Sequence, residues 1–396
     1  MNRLNIIIDF NNLLMRSITT PGMTFYNSNF DDENDLNDIV KKLTIDICYN
    51  IRLFSPNKVI IACDAHNAWR KDILPKDSTG YKANRIKDDT KNWNNLWDKI
   101  SKFKAYLSKY GFIVSEVLRA EADDLAALWK DELFVNKGES VIMISSDRDW
   151  CQLADFNIDN KSFVGIFNPT VNNKGQKKLY LTNETLAYLN GTIEQDNISA
   201  IFNCNDNYIK DLINNVINTD RKINIENVDP FNVLMSKIFE GDDGDNVPSF
   251  YEYYKTTPKG TRLARVTKTV TQKLKESLKI NNIDDLVDAS KYIVHQLEKI
   301  MKVETIPIDS QERLNRQRIL VELNKSLFPD NIISGFNENV IMFEGKTMPV
   351  NLTNIKWTNV LNNTEFFNKE AYKKPKEDNV FNDLGGYFSK YFKGVF

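Results

Sequence analysis

Five acidic clusters run along this chain from Asp9 to Asp245, each just past an apolar run or in a turn-like segment. Asp9 follows Leu4-Asn5-Ile6-Ile7-Ile8, and Asp64 follows Val59-Ile60-Ile61-Ala62-Cys63. Glu121-Ala122-Asp123-Asp124 comes next, then Ser145-Ser146-Asp147-Arg148-Asp149 after Val141-Ile142-Met143-Ile144, then Gly241-Asp242-Asp243-Gly244-Asp245-Asn246. Carboxylates gathered at that density repel one another unless cations sit among them, and hard divalent ions with oxygen ligands suit such a set. Two such ions, about 4 Å apart, clamp the attacking and leaving oxygens of a phosphodiester displacement. The residues therefore predict a metal-dependent nuclease.

Taken singly, each Asp could instead cap a helix or sit in a solvated turn. The i, i+2 spacing of Glu121 with Asp123 and of Asp147 with Asp149 is too tight for one helix face, so these pairs belong at strand ends or helix starts. An EF-hand reading of Asp242 to Asp245 fails for want of the later glutamate. Only two histidines, His66 and His295, are present, which removes support from Ser-His-Asp, Cys-His and His-rich zinc chemistry. The four cysteines form no C-x-x-C pair and read as reduced thiols. A net charge of −2 leaves the placement of Lys and Arg to decide any nucleic-acid surface.

To bring the acids together, short β-branched runs must form buried parallel strands whose carboxyl ends meet in one crevice. The pattern predicts strands 4–9, 58–63, 112–117 and 140–145 alternating with helices 34–54, 93–110 and 121–135. This is an α/β fold: a mostly parallel central sheet with helices on both faces. Residues 161–181 read as a hairpin about Asn172-Asn173-Lys174-Gly175. The stretch 182–230 is Asn-rich and carries no identifiable chemistry, and the pattern from 231 onward is mainly helical. With 396 residues and 41% apolar content, there is ample material for a core. No run approaches the ~20 apolar residues of a membrane span, and a cytoplasmic location and no membrane partner are expected.

Asp9-Phe10-Asn11-Asn12-Leu13-Leu14-Met15-Arg16, Tyr81-Lys82-Ala83-Asn84-Arg85, Glu121-Ala122-Asp123-Asp124, Ser146-Asp147-Arg148-Asp149 and the Gly241–Asn246 loop together resemble the signature set of the 5′-nuclease (flap endonuclease) superfamily, in the same order. Trp69-Arg70-Lys71-Asp72 and Lys237-Ile238-Phe239 fit its bacteriophage ribonuclease H and 5′-3′ exonuclease branch. The resemblance implies a nuclease domain over 1–181 with a helical arch at 65–100, an insertion at 182–230, and a helical DNA-binding domain over 231–396. It implies metal ligands Asp9, Asp64, Glu121 and Asp123 with Asp124 nearby, and Asp147, Asp149, Asp242 and Asp245 for a second ion. The expected cofactor is Mg²⁺, two ions, with Mn²⁺ able to substitute. Lys82 and Arg85 are expected to stabilise charge on the phosphate, alongside Asp9, Asp64 and Asp147 in catalysis. Arg16, Arg70, Tyr81 and Lys87 are expected to contact the nucleic acid, Tyr81 by stacking on a base.

A basic strip, with Lys255, Lys259, Arg262, Arg265 and Lys268 its leading members, reads as the duplex-binding surface. It stands where cellular members carry a glycine-rich helix-hairpin-helix. The expected activity is 5′-3′ exonuclease, ribonuclease H and 5′-flap endonuclease cleavage by a monomer. Expected substrates are DNA and RNA–DNA duplexes with 5′ ends, flaps or forks, and a single-strand-binding protein or sliding clamp is a candidate partner. The aromatic tail, Tyr387, Phe388, Tyr391 and Phe392, would dock on its own domain or on that partner. The rival readings are a catalytically inactive branched-DNA-binding relative and an aspartyl phosphotransferase using Asp147.

Overall fold

A computed structural model describes residues 4–19, 27–74, 80–85, 88–109, 111–190, 216, 220, 222–258 and 260–344. The apolar runs β1 (Leu4–Asp9), β2 (Lys58–Ala62), β3 (Ile113–Ser115), β4 (Ser140–Ile144) and β6 (Ser162–Asn168) lie parallel in the order β3-β2-β1-β4-β6. β5 (Asp155–Asn157) pairs antiparallel with β6 off this path. β7 (Lys177–Thr182) turns back antiparallel to β6, as the hairpin reading predicts, and β8 (Ile223–Val228) adds parallel to β7. In register, Ile8 stands beside Ile61 and Ile144, so the carboxyl ends of β1, β2 and β4 are level. The chain leaves β1 to one side for β2 and reaches β4 on the other, which opens a crevice at the end of β1.

Strand side chains alternate between the two faces, and both faces are covered. Ile6 and Ile8 pack with α1 (Phe10–Thr19), α2 (Glu33–Phe54) and α3 (Trp93–Lys109). Ile7, Ile60 and Met143 pack with α4 (Ala122–Lys130). Beyond β7 come α5 (Asn183–Asn190) and then α6 (Pro230–Glu240), which Asp229 caps by accepting from the Asn232 backbone N–H at 3.0 Å. There follow an antiparallel ribbon of β9 (Glu252–Thr257) and β10 (Gly260–Arg265), α7 (Lys268–Leu278), α8 (Ile283–Asp288), α9 (Ile293–Met301), α10 (Ser310–Val321) and α11 (Asp330–Glu344). Ile238, Phe239, Phe250, Leu274, Leu297 and Leu314 form a further core there. α11 returns to the sheet side: Phe336 meets Trp129 edge-on at 5.1 Å, and a Cβ on Gly335 would lie 2.8 Å from Val117.

Three details of the elements add to what the sequence predicts. Within the arch expected at 65–100, the described residues between 65 and 92 form a short 3₁₀ turn, Trp69–Asp72, and irregular turns, and regular helix begins at Trp93. Residues 75–79 and 86–87 lie outside the described set. The stretch 182–230 ends by supplying β8 to the main sheet. The region after 231 is helical except for the β9–β10 ribbon, formed by Tyr253, Tyr254, Thr256 and Thr257, residues of high strand propensity.

Candidate active site

Asp9 is the last residue of β1, and its backbone position gives its carboxylate two neutral donors: the Asn12 N–H at 3.0 Å and the Ser145 hydroxyl at 2.8 Å. Burial and the neighbouring Asp64 push its pKa up to about 7, against those hydrogen bonds. Asp64, past the end of β2, accepts from the Ala122 N–H at 2.7 Å and the Asn11 amide at 2.9 Å. Burial raises it as well, with Glu121 adding to the effect. Asp147, past β4, caps the 3₁₀ turn Arg148–Leu153 by accepting from the Asp149 N–H at 2.9 Å. The three acids lie where the strands open the crevice, and none of these oxygens receives a cation of the chain in the bonds just described.

The start of α4 supplies three more acids pointing three ways, as the tight spacing requires. Glu121 is the N-cap, and Asp124 closes a capping box by accepting from the Glu121 N–H at 2.9 Å. Asp124 is fully buried and faces away from the crevice, toward Arg70 at 2.6 Å and the Trp69 indole at 2.9 Å. Asp123 accepts from the Trp150 indole at 2.6 Å; burial and Asp147 push its pKa well up. Glu121 behaves oppositely: burial would raise it, but Lys82 and Arg70 more than offset that and leave it below its ordinary value.

Residues 80–85 form a turn that sits directly on the acidic loop. Lys82 is left-handed, at φ 57°, and its N–H donates to the Asp245 carbonyl at 2.8 Å; Asn84 reaches the Asp243 carbonyl at 2.7 Å, and Asn246 reaches the Gly80 carbonyl at 2.8 Å. The Lys82 ammonium pairs with Glu121 and lies 3.4 Å from Asp245, while Arg85 meets Asp245 at 2.5 Å. The loop closes through paired backbone bonds of 2.8 Å between Asp242 and Val247. Gly241 (φ 79°) is required there: a Cβ would stand 2.6 Å from the Val247 carbonyl oxygen. Lys237, on the last turn of α6, bridges Asp149 and Asp242 at 2.5 Å each. Burial and Asp147 push Asp149 up to about 7, whereas for Asp242 Lys237 overcomes burial and holds the group down.

The structure thus brings Asp9, Asp64, Glu121, Asp123, Asp147, Asp149, Asp242 and Asp245 into one crevice, in which each raised acid feels the next: Asp64 on Asp9, Asp147 on Asp123 and on Asp149. A cavity of about 10 Å³, room for about one water-sized occupant, is lined by Asp123, Asp149, Asp242 and Asp245 with Val247, Leu320 and Leu323. All these donors are carboxylate oxygens, the hard ligands that Mg²⁺ or Mn²⁺ takes. Among the described residues, no three converge closely enough to cage an ion as they stand; Lys82 and Lys237 occupy oxygens that a cation would need. The donor chemistry fits a divalent ion once those two side chains shift.

Several predicted contacts fall elsewhere. Asp124 is turned to Arg70, away from the crevice. Arg70 is only 1% exposed and bound to Glu121 and Asp124, so it is a buried counter-ion and does not offer itself to nucleic acid. Tyr81 is buried, its hydroxyl shared between Glu121 at 3.1 Å and Asp245 at 3.0 Å, which leaves no open face for a base. Arg16 is half-buried on α1, in the field of Asp46 and Asp9. Arg265 is exposed but forks onto Asp243 at 2.6 and 2.8 Å. Lys255, Arg262 and Lys268 are exposed, and Lys268 lines a groove of about 520 Å³ with Arg148, Lys237 and Lys275. Lys87, Lys259 and the aromatic tail lie outside the described residues. Sequence reasoning assigned no role to Lys237, Ser145 or Trp150; the one signal for Lys237 is a cation one helical turn before the acidic loop.

Residues 5–187 match the family described as 5′-3′ exonuclease, N-terminal resolvase-like domain. A 5′-3′ exonuclease of Buchnera aphidicola subsp. Schizaphis graminum is 31% identical over 155 residues, 39% of this chain and 50% of that protein, so the chain spans about half the length of this curated relative. The fold is shared with the D15 protein of bacteriophage T5 co-crystallised with metal ions (TM-score 0.51, 18% identity, 88% of this chain and 100% of that one). It is equally shared with a D15 flap endonuclease variant from that phage in a pseudo-enzyme-product complex with DNA and metal ions (TM-score 0.51, 17% identity, 87% and 100%). Residues 5–187, with their acids arrayed at the carboxyl ends of β1, β2 and β4, thus match the 5′-3′ exonuclease N-terminal domain, and the fold around them is that of the T5 D15 protein.

Proposed function

We propose that this chain is a divalent-metal-dependent 5′ nuclease that hydrolyses phosphodiesters at 5′ ends, flaps and RNA–DNA junctions. It would serve primer removal or repair during replication, and bacteriophage replication is the setting its branch resemblance favours. The observation that carries this reading is the crevice itself, eight carboxylates held by three strand ends, one helix start and one closed loop, with Lys82 and Arg85 at its rim. Asp9, Asp64, Glu121 and Asp123 would hold one Mg²⁺ and Asp147, Asp149, Asp242 and Asp245 a second, with Mn²⁺ able to substitute. When bound, such ions lower the pKa of a water and offset charge on phosphate oxygens. Asn11, Asn12, Ser145 and Trp150 orient carboxylates toward the crevice, and Val247, Leu320 and Leu323 keep bulk water from it. Lys82 and Arg85, exchanging Glu121 and Asp245 for the substrate, would neutralise the phosphate. A monomer acting in the cytoplasm, with a single-strand-binding protein or clamp as partner, completes the reading.

The test is cleavage of a forked duplex labelled at its 5′ end, with RNA or DNA at that end, in Mg²⁺ and in EDTA, beside Asp147→Asn. Short 5′ products in Mg²⁺ alone, with a loss of about a hundredfold or more in the variant, are expected, since even residues that only support a metal ligand cost up to about that much. Intact substrate with retained binding would instead identify a DNA-binding relative without catalysis. A covalent beryllium fluoride adduct on Asp147 would identify the phosphotransferase.

A further inference from the structure

We propose that the β9–β10 ribbon is a duplex-docking arm, which lies in a groove of double-stranded nucleic acid and grips both backbones through Lys255 and Arg262. The register places Lys255 directly opposite Arg262, Tyr254 opposite Leu263 and Thr256 opposite Thr261. Like charges facing each other across a two-stranded ribbon destabilise it unless an anion lies between or beside them. Both cations are exposed, and no carboxylate lies within ion-pair distance of either among the described residues. The opposite face is apolar and bare: Tyr254 is 77% exposed and Leu263 50%. A lone two-stranded ribbon is marginal in water, so a ribbon with two exposed cations on one face and exposed Tyr254 and Leu263 on the other is built to be covered. Phosphates satisfy the first face and sugar or base edges the second, and a two-stranded ribbon fits the width of the major groove.

The base of the arm is rigid and tied to the crevice. Arg265 forks onto Asp243 in the acidic loop, and the Ser249 hydroxyl donates to the Phe239 carbonyl at 2.9 Å and accepts from the Val266 N–H at 3.2 Å. Arg313 holds the Ser249 and Phe250 carbonyls at 2.7 and 3.1 Å, and Phe250 and Val266 are buried beneath. A duplex held by the ribbon is therefore held at a fixed offset from Asp242 and Asp245. This deepens, and rests on, the reading of the chain as a nuclease of duplex ends.

The experiment measures binding of a fluorescent duplex and of its single strand by anisotropy, with the full chain in EDTA so that nothing is cut, between about 50 and 200 mM salt. The double substitution Lys255→Ala with Arg262→Ala is expected to weaken duplex binding about tenfold and lower the salt slope by about 2. Single-strand binding should change less than twofold. Tyr254→Ala with Leu263→Ser should weaken duplex binding with the slope unchanged. Lys255→Arg with Arg262→Lys should restore it, and melting temperatures should not move, because all four side chains are exposed. Wild-type duplex affinity in both double variants would overturn the proposal, as would self-association of the chain by sedimentation that these substitutions abolish. If the wild type cuts no strand and yet the variants lose duplex binding, the nuclease reading fails and the arm stands.

Discussion

Asp9 and Asp123, on the sheet side of the crevice, are held by neutral donors (Asn12, Ser145 and Trp150), whereas Glu121, Asp242 and Asp245 on the loop side each share a cation of the chain itself. The same residue type therefore ends in opposite electrostatic states. Burial drives the first group up, and the lysines and arginines hold Glu121 and Asp242 down. The sheet side stores an unfavourable concentration of buried acid, which a cation would relieve under the proposed function, while the loop side is internally neutralised by Lys82 and Lys237. In the proposed nuclease, placing both in one crevice would separate the demand for metal from the supply of positive charge for a phosphate.

The largest effect that would break this comparison is removal of Arg70. Its guanidinium is buried between Glu121 and Asp124 and stacks 4.7 Å from the Trp69 ring. Arg70→Met should cost about 3–5 kcal/mol in a denaturant melt, because two buried carboxylates lose a common partner. An unchanged melt with weakened nucleic-acid binding would return Arg70 to the substrate surface.

A pH series sharpens the same contrast. Asp9, and Asp149 despite its Lys237 partner, have folded-state values raised to about 7, so the stability linked to their protons is complete below the ordinary carboxylate range and is lost as pH rises through about 7. Glu121 and Asp242 are depressed, and their contribution is lost only on acidification below that range. In EDTA the melting temperature should fall between about pH 5 and pH 8, and Mg²⁺ should recover more of it at pH 8 than at pH 5. A flat profile, or equal recovery at both ends, would mean that the sheet-side acids are not the ones a cation relieves. The smallest expected effect is Tyr81→Phe. Removing the hydroxyl that joins Glu121 to Asp245 should cost about 1 kcal/mol, read by the same melt; a much larger loss of single-strand affinity than of stability would revive the stacking role.

Much of the scaffold was legible because it is local. β-branched runs ending in Asp9, Asp64 and Asp147, with amphipathic segments between them, define parallel strands and the ends where their acids gather. What could not be read was decided by residues far apart in sequence. Turn 80–85 is held by bonds to Asp243, Asp245 and Asn246, so nothing in Tyr81 to Arg85 alone betrays that it is a turn on a distant loop, with Tyr81 buried beneath it. Arg70 reads as a surface base until Glu121 and Asp124 close over it. β8 is harder to read because Ile223-Asn224-Ile225-Glu226 alternates over only four residues before Asn227 breaks the period, inside an Asn-rich stretch.

α11 sets the order in which the molecule can be completed during synthesis. Trp129, on the helix whose first turn carries Glu121, Asp123 and Asp124, is covered by Phe336 and Phe343 of α11, and Trp69 beside Arg70 finds Phe328 at 6.2 Å. A ribosome must therefore release some two hundred residues beyond α4 before that helix is sealed, and long-range closure of this kind is slow. Until then the nascent chain carries its acids on an open scaffold, so the helix that bears three of them is packed in full only once the final described helix has left the tunnel.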